Sequence, residues 1–192
     1  STIVSLILSG IIINALSRSG VSILKYMADS LQQLPAIEFW LMGSLNTITW
    51  DKLIQFLPLF LIGTITSILL RWQLNALSMG DEEAATLGVS VTLMRGVMIG
   101  MATALVSGVV SMTGMIEWVG LICPHITRIM VGSDHKVSVP ISFCVGAGFM
   151  AISDTIARSL TAAELPISVI TAVTGAPFLA YLLIKSGKSA WQ

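Results

Sequence analysis

Residues 72–91 read WQLNALSMGDEEAATLGVSV, a polar stretch with three consecutive acids in a chain otherwise written in hydrocarbon. Apolar runs of about twenty residues, the length that crosses a bilayer, flank it on both sides. The stretch is therefore a loop between two membrane spans and not a soluble domain. Its content is that of a short helix. Gly80 breaks the incoming segment, and Asp81, Glu82 and Glu83 fall in a first turn, where negative charge offsets the helix dipole. Ala84 and Gly88, four apart, share a face and leave it nearly bare, which suits docking into a groove on another protein.

Composition supports the membrane reading. The chain has 192 residues, 55% of them hydrophobic and 10% charged, with a mean hydropathy of +0.89. A soluble domain carries about 25% charged residues, so this chain cannot clothe itself in a solvated surface. Ten basic and ten acidic side chains cancel to zero net charge, which offers nothing to nucleic acid. Cys123 and Cys144 lie in apolar stretches without metal spacing or a disulfide framework, and both read as buried small hydrophobes. The chain opens at Ser1 already inside an apolar run, with no signal-peptide pattern, and is expected to be part of a longer membrane protein.

The expected fold is an all-α polytopic bundle of about six spans in one domain over residues 1–192, with short cytoplasmic coupling helices. The spans are expected near Ile3–Met27, Leu53–Trp72, Val91–Val110, Trp118–Val131, Pro140–Ala157 and Ile167–Ile184. Residues 28–52 read as a loop, with Trp40 and Trp50 suited to the membrane interface. GSDHKVS (132–138) reads as a charged turn. Alternating spans place Arg71, Arg95, Arg128, Lys136, Lys185 and Lys188 on one side, against Arg18, Lys25, Lys52 and Arg158 on the other. The positive-inside rule then puts the acidic loop in the cytoplasm.

Gly96, Gly100, Ala104 and Gly108 recur at four-residue intervals, a stripe that lets helix backbones approach closely in lipid. Gly146 and Gly148 read the same way. In GLICPHITRIMVGSDHKVSVP (120–140), Pro124 disfavours helix at Cys123, so a kink or a helix start is expected there. His125 and Arg128 then share a helical face. No second ligand sits at zinc spacing, and Glu117 belongs near the opposite surface, so packing or partner contact is favoured over a metal site.

Asp154 and Arg158, four apart near the outer end of a span, either compensate each other or leave Arg158 offered to an acidic partner. Thr161 and Glu164 have capping-box spacing, although that cap puts Pro166 too deep for a first turn. TGAP (174–177) is a weak point in the last span. No catalytic set, cofactor motif or glycine-rich phosphate loop is legible, so this chain is not expected to hydrolyse nucleotide itself.

GDEEAATLGV, GLICPHITRIMVGSDHKVSVP, AISDTIARSL and AAELPISVITAVTGAPFLAYLL, with WLMGSL at 40–45, together resemble the permease subunits of iron-chelate, haem and vitamin B12 ABC importers. The resemblance covers nearly the whole chain and matches the C-terminal part of such a subunit. It implies an inner-membrane permease that works as a homodimer, beside an ATP-binding subunit and an extracytoplasmic substrate-binding protein. Gly80, Glu82, Glu83, Ala84, Ala85 and Gly88 would belong to the helices seated on the ATPase. Pro124, His125 and Arg128 would form a cytoplasmic motif. Arg158 and Glu164 would meet the binding protein. Glu117 and Trp118 depart from the small or apolar residue and the Phe that stand there in relatives. The expected function is an importer permease for a metal chelate, haem, corrinoid or oxyanion. Other classes are an ion-gradient carrier, for which Asp154 is the one candidate acid, and an intramembrane enzyme built on His125.

Overall fold

The computed structural model describes residues 3–46, 48–160 and 165–189, and among them every regular element is a helix. The chain divides into two compact units, Ser1–Leu41 and Met42–Gln192. The first holds α1 (Ile3–Met27) and α2 (Gln33–Leu41). α1 is an apolar helix long enough to span, and Ile11, Ile12, Ile13 and Leu16 stand exposed along it. In water that surface would be a liability; in a bilayer it is solvated by acyl chains. α2 lies where a loop was expected. Its start was written in the sequence: the Asp29 carboxylate accepts from the Gln32 N–H, and Gln33 Oε1 accepts from the Asp29 N–H, each at 3.1 Å. This is a capping-box arrangement, with Pro35 tolerated in the first turn. An ion pair from Lys25 to Glu38, 2.8 Å, ties α2 back to α1.

The second unit runs α3 (Trp50–Leu69), α4 (Arg71–Met79), α5 (Asp81–Thr86), α6 (Val91–Thr113), α7 (Val119–Val131), α8 (His135–Ser159) and α9 (Ile167–Ser189). With α1, the helices α3, α6 and α8 are long and apolar enough to cross a membrane; α7 and the Ile167–Leu182 part of α9 are shorter apolar helical segments. Several boundaries differ from expectation. Trp50 opens α3 rather than closing a loop, because Thr49 caps it by accepting from the Lys52 N–H. α3 ends at Leu69, so Trp72 belongs to the separate helix α4. α7 begins at Val119 and carries Pro124 inside it, so the proline is not its start. α9 runs unbroken through TGAP, where the Thr174 hydroxyl bonds back to the Ile170 carbonyl at 2.8 Å.

The turn between α7 and α8 is shorter than expected. Gly132, at φ 82°, terminates α7, and Asp134 caps α8 by accepting from the Lys136 N–H at 2.9 Å. His135 to Ser138 are therefore helix, and Pro140 lies inside α8. A proline there cannot donate to the carbonyl four residues back, which belongs to Lys136. That carbonyl instead accepts from Arg71 Nη1 of α4, at 3.3 Å.

Packing in this unit rests on small residues and hydroxyls, as expected where no hydrophobic effect drives helices together. Thr127 on α7 is fully buried and accepts from the Ser142 hydroxyl of α8 at 3.2 Å. α3 meets α6 at two glycines: a Cβ at Gly63 would lie 2.6 Å from a Leu105 methyl, and one at Gly108 would run into Phe56. Phe56, Phe60 and Phe143 extend the contact as a tilted aromatic ladder, with centroids 6.2 and 5.8 Å apart. Gly96 and Gly100, on the same stripe as Gly108, have open space beside them within this chain, as do Gly146 and Gly148. Cys123 is buried as expected, but Cys144 is exposed, because its face of α8 points away from the other helices.

At the end opposite α4 and α5, the segment 42–46 locks three strands of chain together. The Ser44 N–H donates to the Thr113 carbonyl at 2.8 Å, and the Ile167 N–H donates to the Gly43 carbonyl at 3.2 Å. Leu45, Ile116, Met150 and Leu165 close around the buried Ala157, Ile167 and Ile170. Trp118, just before α7, holds a φ of 73°, uncommon for a bulky residue. Gly175 of α9 makes room for it; a Cβ there would lie 2.7 Å from the Trp118 Cβ.

Candidate coupling site

The acidic stretch forms the predicted short helix, and two glycines frame it. Gly80 joins α4 to α5 at φ 127° and ψ 159°, a region essentially closed to other residues. Asp81, Glu82 and Glu83 occupy the first turn of α5. Gly88, at φ 81°, ends it. Its N–H donates to the Ala85 carbonyl, and the Val89 N–H donates to the Ala84 carbonyl, both at 3.0 Å. This pair of bonds is a Schellman motif, in which a left-handed glycine satisfies the carbonyls a helix end would leave bare.

The motif decides which face is free. Ala84 is fully buried and packs with Ala76 of α4 and with Val89, joined at the edge by Leu77, Val91 and Met94. The expected bare face through Ala84 is thus turned inward, because the Schellman turn brings Val89 back onto it. What α5 presents outward is Asp81, Glu82, Glu83, Ala85, Thr86, Leu87 and Gly88, all exposed. Leu87, 51% exposed, is an apolar tip at the end of this acidic helix.

Two polar ties hold this hairpin to the spans. Asp81 pairs with Arg95 of α6 at 2.7 Å. The pair is partly solvated, with Arg95 28% and Asp81 61% exposed. A double-mutant cycle on Asp81→Ala and Arg95→Ala, read by thermal unfolding, is therefore expected to return a coupling of about 1 kcal/mol or less. A coupling several times larger would mean that the pair is shielded from water in the folded protein.

The second tie joins α4 to α8. The Asn75 carboxamide donates through Nδ2 to Asp134 Oδ1 at 2.6 Å, and its Oδ1 accepts from the His135 N–H at 2.7 Å. The same Oδ1 faces His135 Nδ1 at 2.8 Å; since an amide oxygen only accepts, Nδ1 carries the proton. The Asn75 amide, and then the Lys136 N–H, hold the Asp134 carboxyl below the usual carboxylate range. A lowered pKa stabilises the fold above the ordinary value and loses that contribution only as acid brings the pH down through the lowered one. The tie is therefore whole at neutral pH.

The other expected site residues are distributed. Pro124, His125 and Arg128 are all exposed on α7, and Arg128 stands within electrostatic reach of His135. Among the described residues no cluster of His, Cys, Asp and Glu could hold a metal ion. Arg158 lies at the far end of α8, exposed, with its Nε 2.9 Å from Asp154. Glu164 falls outside the described residues. Asn75, Asp134 and Arg95 were not singled out from sequence. Asp134 carried a signal, an Asx residue directly before a helix; Asn75 and Arg95 carried none, because their partners lie on other helices.

The chain is 42% identical over 184 residues to a molybdate import system permease protein of Haemophilus influenzae, covering 96% of this chain and 55% of that protein. It is 37% identical to a hemin transport system permease protein of Yersinia pestis, covering 94% and 54%. It is also 37% identical to a cobalamin import system permease protein of Halobacterium salinarum, covering 93% and 48%. The chain thus spans about half the length of these relatives. A solved inward-facing metal-chelate type ABC transporter superposes with a TM-score of 0.92 at 42% identity, over 96% of this chain and 60% of its own. The FecCD transport family pattern matches residues 1–185, and the chain, a multi-pass membrane protein by its long apolar helices, belongs to that family.

Proposed function

We propose that residues 1–192 form one transmembrane domain of the permease subunit of an ATP-binding-cassette importer in a prokaryotic inner membrane. Its cargo is a metal chelate, haem, corrinoid or oxyanion, the classes that its relatives' names span. The observation that carries the reading is the α5 hook. Its acidic outer face is free, its inner face is packed, and it is tied to two long apolar helices. A short rigid helix of this kind is what a separate motor can grip. The ATP-binding subunit would seat Glu82, Glu83, Ala85 and Gly88, with Gly80 and Ala84 fixing the angle of the hook from behind. His125 and Arg128, with Pro124 setting their helix, would lie on the same cytoplasmic side. A substrate-binding protein would meet Arg158, and Glu164 if it lies nearby, on the other side. The pathway would form against a second copy, with lipid around both.

The ionisable groups favour this reading over an ion-gradient carrier. Asp154 is the acid such a carrier would use, and it is already compensated by Arg158 beside an exposed helix end. The test is a cross-link. In the full-length permease without native cysteines, Glu82→Cys should cross-link to a co-expressed ATP-binding subunit in membranes, and Ile152→Cys on the α8 surface should not. A Glu82→Cys variant that never joins the ATPase, in a complex shown to assemble, would overturn the assignment.

A further inference from the structure

The first turn of α8 is incomplete by itself. Four N–H groups at a helix start have no partner inside the helix, and Pro140 removes the donor that the Lys136 carbonyl would ordinarily receive. Within the turn, Asp134 meets part of the need: its side chain accepts from the Lys136 N–H, and its carbonyl from the Val137 and Ser138 N–H groups. Two further groups of this turn are the His135 N–H and the Lys136 carbonyl. Both are met from α4, by Asn75 Oδ1 at 2.7 Å and Arg71 Nη1 at 3.3 Å. Asn75 and Arg71 stand four apart, on one stripe of α4. Asn75 also donates to the same Asp134 oxygen that caps Lys136, so the cap and the clasp share one atom.

We propose that Asn75 is a positioning residue, a strut that fastens the α4–α5 hook to the head of α8 so that displacement of α5 is delivered to that span. The inference rests on the importer reading and adds to it a route for the motion. Three short contacts converge on one planar amide, and hydrogen bonds of 2.6 to 2.8 Å weaken steeply with misalignment. The amide cannot flip without losing its bonds to the Asp134 carboxylate and to the His135 N–H, because its nitrogen only donates and its oxygen only accepts. The hook also leans on α6, through a solvated ion pair and through Val91 and Met94 packed against its buried cluster. The α8 tie differs in being a directional set of hydrogen bonds on one side chain.

The experiment uses the full-length permease with its ATP-binding subunit in nanodiscs, without native cysteines. A spin label at Ile152→Cys, exposed on α8, reports the α8-to-α8 distance between the two copies. Mg·ATP with vanadate should shift this distance in the unaltered complex. Asn75→Asp sets a carboxylate against Asp134 and removes the donor; the shift should be lost while the complex still assembles and hydrolyses ATP. The double variant Asn75→Asp with Asp134→Asn restores a donor facing an acceptor, and the shift should return. A merely structural asparagine would lower yield or thermal stability without separating hydrolysis from movement. If Asn75→Asp does not assemble, Asn75→Ala, which adds no charge, is read in the same way. A full shift in Asn75→Asp or Asn75→Ala, or an unaltered complex that hydrolyses ATP while α8 stays still, overturns the strut alone. Failure of the unaltered permease to bind any ATPase removes the importer reading and the strut together.

Discussion

Gly43→Ala is expected to unfold the second unit well below the temperature of the unaltered chain, with a loss of roughly 3 kcal/mol or more. Two effects add. Gly43 sits at φ 69°, where an L side chain strains its own backbone by about 1–2 kcal/mol. The new Cβ would also lie 2.6 Å from the Met115 carbonyl oxygen. That obstacle is backbone and cannot swing aside as a side-chain tip can. Relief means moving Met115 or Gly43, and either movement pulls on the bonds from Ser44 to Thr113 and from Ile167 to Gly43. Thermal unfolding in detergent, followed by intrinsic tryptophan fluorescence, is the measurement. Gly20→Ala, in α1 with open space around it, is the control and should change little. A melting temperature for Gly43→Ala within a degree or two of the control would show that the segment 42–46 yields where the geometry says it is locked.

The second large effect is on the proposed coupling. In the importer proposed above, Gly88→Val should cut ATP-driven uptake by about tenfold or more while the protein still inserts and folds, since a loss near 1.4 kcal/mol at a coupling step is already a factor of ten. Gly88 has nothing within 4 Å of its would-be Cβ, so the cost is not steric crowding. It is conformational: φ 81° is hostile to a β-branched residue and tolerable to asparagine. Gly88→Asn should therefore keep most of the uptake that Gly88→Val loses. Measured uptake per ATP hydrolysed, for both variants in proteoliposomes, distinguishes this account from one based on the bareness of the residue. If bareness mattered, asparagine and valine would fail alike.

That contrast also shows what could be read from the chain before folding. Gly80 and the acids of the first turn were legible because a helix start is local chemistry, whereas Gly88, read as part of a bare face, is the helix stop. The α1 boundaries were legible for the same reason, since one long apolar run ends where polar residues begin. The inward turn of Ala84 was not, because it depends on Val89 folding back through a Schellman turn onto Ala76. The helix α2 was legible in principle, from Asp29, Gln32 and Gln33, but tryptophans at a membrane interface made a loop the easier reading. Pro124 and Pro140 misled in one direction. Each suggests a boundary locally, yet each is carried inside a helix, and at Pro140 the carbonyl it frees is taken up by Arg71. Asn75 and Asp134 are 59 positions apart and belong to no local pattern. Only the packing of α4 on α8 brings them together.

The shortness of α7 has its own consequence. Thirteen residues at about 1.5 Å each rise about 20 Å, while the hydrocarbon layer is about 30 Å thick. The irregular segment 114–118 leads into α7, with Gly114 buried and Glu117 exposed. Irregular backbone next to a bilayer needs its polar groups met by protein or water, and 42–46 meets part of that need. Drawing 42–46 aside would take the partners from the Thr113 and Gly43 carbonyls, at a cost of roughly several kcal/mol for each group left dry. Such a movement becomes affordable only when solvent floods in alongside it, so on this flank unsealing and wetting are a single event.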